Sequence, residues 1–340
     1  MIRHVSILQL AQTGKTEEGL KEMFAPELEA FQSRGISTEL HQVNEYDTQL
    51  TIKALEGADV ALCSGNPPFD RKTLEQLPDL KGIVRYGIGV NSIDLEAAAE
   101  LGKIVFYMKG YCVEELALHA SSLILGLLRN TAWYDRQMRA GNWMKGRGPQ
   151  PRRLNHLTVG LFGLGGSGNR LASIMKNGFG ANVIAYDPYV NKEAAKALGV
   201  RCVSFEELLA EADIISIHAP LTEETRHIFD RTAFEKMKPD SMLINISRGP
   251  IVDLEDLAEA LKSGKIGSAG LDVFETEPLA ADSPLLSMDQ VLLTPHSAYF
   301  GKESFEEQKR LAWWLPTEWF LENRMHREYV ANPKVLEKLL

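Results

Sequence analysis

Val159-Gly-Leu-Phe-Gly163-Leu-Gly165-Gly-Ser-Gly168-Asn-Arg170 decides how this chain is read. The apolar run Leu157 to Phe162 reads as a buried strand, and Leu171 to Lys176 continues beyond the glycines as a helix. Gly163, Gly165 and Gly168 thus occupy a strand-to-helix turn in G-x-G-x-x-G spacing. That spacing permits a tight turn, close approach of backbone to a pyrophosphate, and close packing of helix on strand. Phosphates would lie on the N–H groups at the helix start, which makes Gly163, Gly165, Gly166, Ser167 and Gly168 candidate cofactor residues. The next apolar run, Asn182-Val-Ile-Ala-Tyr, ends in Asp187. An acid at the end of the second strand suits the ribose hydroxyls of NAD and would repel the extra phosphate of NADP. The glycines alone also fit a turn without a ligand. Strand, glycines, helix, strand and acid in register point to NAD.

Composition sets the frame around that motif. A chain of 340 residues has room for two domains, each with its own core. The net charge of −9 comes without a basic cluster, so neither nucleic acid nor an anionic membrane is an expected partner. No apolar stretch is long enough to span a bilayer. The N-terminus runs into the apolar strand His4 to Leu10, so a cytoplasmic protein without a signal peptide is expected. Cys63, Cys112 and Cys202 are few, odd in number and widely spaced, which fits buried thiols in a reducing compartment and no metal site.

Away from the glycine motif, strands and helices alternate in two blocks. Apolar strands fall near 4–10, 36–43, 59–63, 82–85 and 104–106, with helical patterns such as Glu17 to Arg34 and Leu95 to Leu101 between them. One long helical pattern then runs from about Val113 to Arg139. The second block has strands near 157–162, 182–186, 213–217, 242–246, 267–271 and 291–293. Ser204-Phe-Glu-Glu207 is a capping box. A last helix is expected over Lys302 to Glu322, kinked or broken at Pro316. Such alternation gives an α/β protein with two doubly wound parallel sheets.

Ligands of open parallel sheets bind beyond the carboxyl ends of the strands. At those ends in the second block stand Ser247-Arg248-Gly249, then Asp272-Val-Phe-Glu-Thr-Glu277-Pro, then His296 after Thr294-Pro. Arginine can bind a carboxylate and polarise a carbonyl. Histidine can protonate a forming alkoxide, and a neighbouring carboxylate favours imidazolium and fixes its tautomer. Singly, Arg248 also fits a surface ion pair, Glu277 a helix-start acid, and His296 a core histidine. Together beside a cofactor loop they read as one site for hydride transfer to a keto acid.

With these residues in view, the chain resembles the D-isomer-specific 2-hydroxyacid dehydrogenase family, which includes D-lactate, D-glycerate and phosphoglycerate dehydrogenases. The marks are Arg85-Tyr-Gly87-Ile-Gly89-Val, Tyr111-Cys-Val-Glu-Glu115, the glycine loop, His218-Ala-Pro220-Leu-Thr, Ile246-Ser-Arg248-Gly, Asp272 to Pro278, and Thr294-Pro-His296. The resemblance implies a Rossmann cofactor domain inserted into a discontinuous, flavodoxin-like substrate domain, here 1–104 and 298–340 around 105–297. It implies Arg248 as anchor of the substrate carboxylate and His296 as acid/base paired with Glu277. It implies His218, Pro220 and Asp272 as cofactor residues, Asp272 on the nicotinamide carboxamide. Gly87, Ile88 and Gly89 would offer backbone N–H groups to the substrate carboxylate, with Asn66 nearby as a further substrate residue. A homodimer through the cofactor domain is implied, with the 113–139 helix in the contact.

Departures from the family pattern bear on the substrate. Glu277 stands where formate dehydrogenases have glutamine, and Ile88 where phosphite dehydrogenases have lysine. The loop Cys63 to Phe69 lacks the arginines that hold a substrate phosphate in the phosphoglycerate branch. Asn91, Tyr107 and Lys109 replace a usual aspartate, asparagine and proline; Lys109 reads as a solvated lysine, or as a cation for a second acidic group. Ser167 replaces a bulkier apolar residue and is expected to alter packing rather than phosphate contact. Tyr111 to Glu115 also resembles the C-terminal-binding corepressors. The alternative is therefore a dinucleotide-sensing, dimeric binding protein with weak or no turnover.

Overall fold

Short β-branched and apolar runs punctuated by glycine become strands here, because both faces of a parallel sheet are covered by helices. The computed structural model describes residues 2–11, 16–44, 47–65 and 67–339, and divides into two units, 1–111 with 301–340, and 112–300. The first unit holds β1 (His4–Leu10), β2 (Ser37–Val43), β3 (Val60–Cys63), β4 (Gly82–Arg85) and β5 (Ile104–Tyr107). They pair in parallel in the order β2-β1-β3-β4-β5, the flavodoxin-like order. The C-terminal helix Lys302–Phe320 returns to this unit, burying Leu311, Ala312 and Leu315 in one cluster with Val5, Ile7 and Val84. That packing carries the helix through Pro316 unbroken, so of the kink or break expected there no break occurs. The pattern at Glu17 to Arg34 forms two helices, Glu17–Met23 and Ala25–Gln32, with a proline in the first turn of the second.

The second unit holds β6 (Thr158–Phe162), β7 (Asn182–Tyr186), β8 (Arg201–Cys202), β9 (Ile214–Ile217), β10 (Met242–Asn245), β11 (Ser268–Leu271) and β12 (Val291–Leu293). The order is β12-β11-β10-β9-β6-β7-β8, a Rossmann order whose reversal lies between β6 and β9. β8 escaped the sequence reading because two residues show no periodicity. The units divide at 111/112 and 300/301, not at 104/105 and 297/298. The first expected boundary would fall inside β5, after Ile104, although the strand pairs with β4 from Gly82↔Ile104 to Arg85↔Tyr107. The helix expected over 113–139 is two helices, Val113–Leu128 and Thr131–Arg139. Asn130 separates them at φ +54°, a left-handed conformation that asparagine tolerates. The first helix buries Ala117, Ala120, Leu123 and Ile124, whereas the second buries nothing. Ser204 and Glu207 form the expected capping box, with bonds of 2.7 and 3.1 Å.

Candidate active site

The glycine loop is shaped by contacts only glycine allows. Gly163 follows β6 at φ +99°, and a Cβ there would lie 2.6 Å from the backbone nitrogen of Ala219. A Cβ on Gly168 would lie 2.4 Å from the Gly163 carbonyl oxygen. Gly165 is different: it caps the helix Gly166–Ser173 without a side chain, and a Cβ there would meet nothing within 4 Å. This open space before a helix N-terminus fits a pyrophosphate. Asp187 ties the loop to the end of β7, accepting from the Leu164 and Tyr189 amides at 2.8 Å each. Ser167 does more than adjust packing. Its Oγ lies 3.0 Å from His218 Nδ1, and His218 Nε2 lies 2.9 Å from Ser216 Oγ. Desolvation pushes the His218 imidazole down to about 4, so it is neutral between the two hydroxyls near neutral pH. Pro220 follows at the surface, its carbonyl accepting from Thr225 Oγ1 at 2.8 Å.

Strand ends β10, β11 and β12 bring the other candidates together. Asn245, fully buried at the end of β10, folds the next turn by donating to the Arg248 carbonyl at 2.9 Å and accepting from the Ser247 amide at 3.1 Å. A Cβ on Gly249 would lie 1.9 Å from the carbonyl carbon of Phe274, so the Arg248 turn rests on the loop that carries Glu277. Glu277 Oε1 accepts from the Phe274 amide at 3.0 Å, and Oε2 from His296 Nδ1 at 2.7 Å. Burial raises the Glu277 carboxyl, but the bonds from His296 and Phe274 and the Arg248 charge outweigh it and hold it below its ordinary value. The ionised carboxylate makes Nδ1 the donor and turns His296 Nε2 to other partners. The His296 and Glu277 side chains are 44% and 36% exposed, so a small molecule can reach them.

His296 itself has φ +51°, uncommon for a residue with a side chain. Asp272 supports it. The Asp272 carbonyl accepts from the His296 amide at 2.7 Å. Its carboxylate accepts from the Ser297 amide at 2.9 Å, the Ala298 amide at 2.9 Å and Thr294 Oγ1 at 2.5 Å. One buried aspartate thereby holds three consecutive amides around the histidine. The sequence reading placed Asp272 on the nicotinamide carboxamide; in the structure its carboxylate is turned inward onto the His296 loop. The supporting contacts of Thr294, Asn245 and Ser216 escaped the sequence reading because Ser, Thr and Asn are common without any such role.

Gly87, Ile88 and Gly89 belong to the first unit. Gly87 stands at φ +128°, its carbonyl accepting from the Met108 amide at 2.9 Å, and Ile88 is exposed. Asn66 lies outside the described residues. Lys109 and Asn91 are exposed, which agrees with a solvated lysine, and burial raises the Tyr107 hydroxyl. Burial also pushes the Cys63 thiol up to about 12, so it is not a reactive thiolate. Tyr299 stands edge-on to His296 at 6.2 Å, and Phe300 is 70% exposed.

Residues 121–298 match the family described as "D-isomer specific 2-hydroxyacid dehydrogenase, NAD binding domain". The chain is 38% identical to a D-3-phosphoglycerate dehydrogenase of Mycobacterium leprae over 276 residues, covering 81% of this chain and 51% of that protein. It spans about half the length of the curated phosphoglycerate dehydrogenases it matches. It is 35% identical to a glyoxylate reductase of Korarchaeum cryptofilum over 267 residues, covering 78% and 79% of the two chains. Its fold matches the D-lactate dehydrogenase of Aquifex aeolicus, crystallised with NAD and lactic acid, at a TM-score of 0.84 and 27% identity, covering 96% and 99% of the two chains.

Proposed function

The chain belongs to the D-isomer-specific 2-hydroxyacid dehydrogenase family, and from that premise we propose that it interconverts a small D-2-hydroxy acid and its 2-keto acid, using NAD(H). The observation that carries the reading is the 2.7 Å bond from His296 Nδ1 to an ionised Glu277, beside Arg248 and on the same unit as the glycine loop. The residues fit the dinucleotide: open space at Gly165 for phosphates, and Asp187 at the end of β7 for the ribose. When bound, NAD(H) supplies the hydride in one direction and takes it up in the other.

The chain's own residues supply the rest. Arg248 holds the substrate carboxylate and draws electron density toward the carbonyl oxygen. His296 donates the Nε2 proton to that oxygen as it becomes an alkoxide, and in oxidation takes the proton back. Glu277 keeps Nδ1 as the donor and favours the charged imidazole that precedes donation. Asp272 anchors the turn on which His296 stands. We take the proposed cellular place to be the cytoplasm. The proposed partner is a second copy of this chain, across the helices Val113–Leu128 and Thr131–Arg139. Leu118 and Met138 on these helices and Trp143 just after the second are 56, 52 and 75% exposed, and apolar side chains of this size are common at subunit contacts. Among the described residues no helix is long and apolar enough to cross a membrane. The relatives reported above are named as dehydrogenases and a reductase, so the corepressor alternative is not favoured.

The test is NADH oxidation against a panel of 2-keto acids, including glyoxylate, pyruvate, hydroxypyruvate and branched-chain keto acids. Turnover of at least one with D-stereochemistry of the product supports the reading. NADH binding without turnover of any would move it to the binding-protein alternative.

A further inference from the structure

His119 lies on the helix Val113–Leu128, far from the catalytic residues in sequence and outside every role given so far. Its Nε2 is 2.9 Å from Thr294 Oγ1 and 3.4 Å from Asp272 Oδ1. The Thr294 hydroxyl donates to Asp272 Oδ1 at 2.5 Å, so its oxygen is left to accept from His119. The direction of the chain is then fixed: His119 Nε2–H donates to Thr294, Thr294 O–H donates to Asp272, and the Ser297 and Ala298 amides donate to the same carboxylate. The Asp272 side chain is 1% exposed, so water cannot readily replace the Thr294 hydroxyl on it if that hydroxyl turns away. The His296 backbone at φ +51° persists only where its surroundings hold it.

We propose that His119 is a positioning residue for His296: by donating to Thr294 it keeps that hydroxyl on Asp272, and so keeps the left-handed turn that sets His296 Nδ1 against Glu277. A histidine serving only to fill space would be replaced by an apolar residue of similar volume without effect on that turn. Here the donor atom is the essential feature. The inference deepens the reading of His296 as acid/base and rests on it.

The experiment compares the full chain with His119→Leu, which keeps volume and removes the donor, and His119→Gln, which can return an N–H near the same point. Thr294→Val, which breaks the same link one step on, is the second route should His119→Leu fold poorly. Two readouts are taken: amide hydrogen exchange of the segment 296–298, and kcat and KM for keto-acid reduction. Loss of one such bond corresponds to about tenfold. His119→Leu and Thr294→Val should therefore each speed exchange at 296–298 about tenfold, and lower kcat to a similar extent with the KM for NADH unchanged. His119→Gln should restore both readouts, and the double variant should be no worse than either single one. Wild-type exchange at 296–298 in His119→Leu, or equal behaviour of Leu and Gln, overturns the proposal. A wild-type chain that turns over no keto acid while the exchange results hold would instead overturn the acid/base reading on which the proposal rests, and with it the catalytic purpose assigned to His119.

Discussion

Asp272→Asn separates two tasks that the same residue could perform. The substitution keeps the shape and removes both charge and one acceptor. In the native side chain Oδ1 receives Thr294 Oγ1 and the Ser297 amide, and Oδ2 receives the Ala298 amide. Asparagine has one acceptor oxygen, and its Nδ2 only donates. Whichever way the amide turns, at least one backbone N–H then faces another donor in a fully buried place. An orphaned buried donor costs about 1–3 kcal/mol, and bonds to a charged acceptor are worth about 1.5–3 kcal/mol. With the other bonds weakened but kept, a net loss of about 2–4 kcal/mol follows. For a unit of this size that is a fall in Tm of about 5–15 °C. Thermal unfolding measures it, with NADH affinity followed in parallel by fluorescence. The anchor role predicts a large fall in Tm and a fall in kcat. If Asp272 served chiefly to meet the nicotinamide carboxamide, NADH affinity would drop while Tm stayed within about 1 °C of wild type; that result would refute the anchor.

The other expectations rest on separate contacts. His296→Asn should cut kcat by about 10²–10⁴, the usual worth of a general acid, and leave the NADH Kd near wild type. Asp187 should make kcat/KM with NADH at least about 100-fold higher than with NADPH, because a second anion there is repelled and desolvated; equal values would remove Asp187 from the ribose site. His218 is depressed from 6.5 to about 4 in the fold, so the unfolded chain binds the extra proton between those values. Stability should therefore fall as pH falls from about 6.5 to about 4, by at most about 3 kcal/mol from this group. In His218→Asn, unfolding followed across that window should show a smaller acid loss than wild type; an identical loss would mean that His218 is not the titrating group.

The parallel sheets were legible because both of their faces are covered. Each strand is then a short apolar run, and its limits can be read within a residue or two, as at His4–Leu10, Gly82–Arg85 and Asn182–Tyr186. The exceptions have local causes. Arg201–Cys202 is too short to carry a pattern. The break at Asn130 turns on one residue's tolerance of a left-handed backbone, in a stretch whose side-chain spacing stays helical on either side. Pro316 was expected to kink or break a helix; the helix runs through it without a break, with Leu311, Ala312 and Leu315 packed in the core.

The convergence of the candidate residues was legible for a different reason. Strands β10, β11 and β12 are neighbours in parallel register, Asn245↔Leu271 and Leu271↔Leu293. Parallel pairing puts all their carboxyl ends on one edge, so Arg248, Glu277 and His296, each a few residues past its strand, must converge. Residue type and strand end were enough to choose them. What holds them was not legible, because the supports are backbone amides and hydroxyls chosen by geometry and not by type. Asp272 was noticed as a carboxylate and assigned to a ligand; that it binds the amides of 296, 297 and 298 depends on the positive φ at His296, which nothing in Thr294-Pro-His296 announces. His119 is further still, 175 residues from the threonine it bonds and spaced as a core position on its helix. The groups proposed to meet a substrate can thus be picked out in a sequence of this kind, whereas the contacts that hold them follow only from the folded turn.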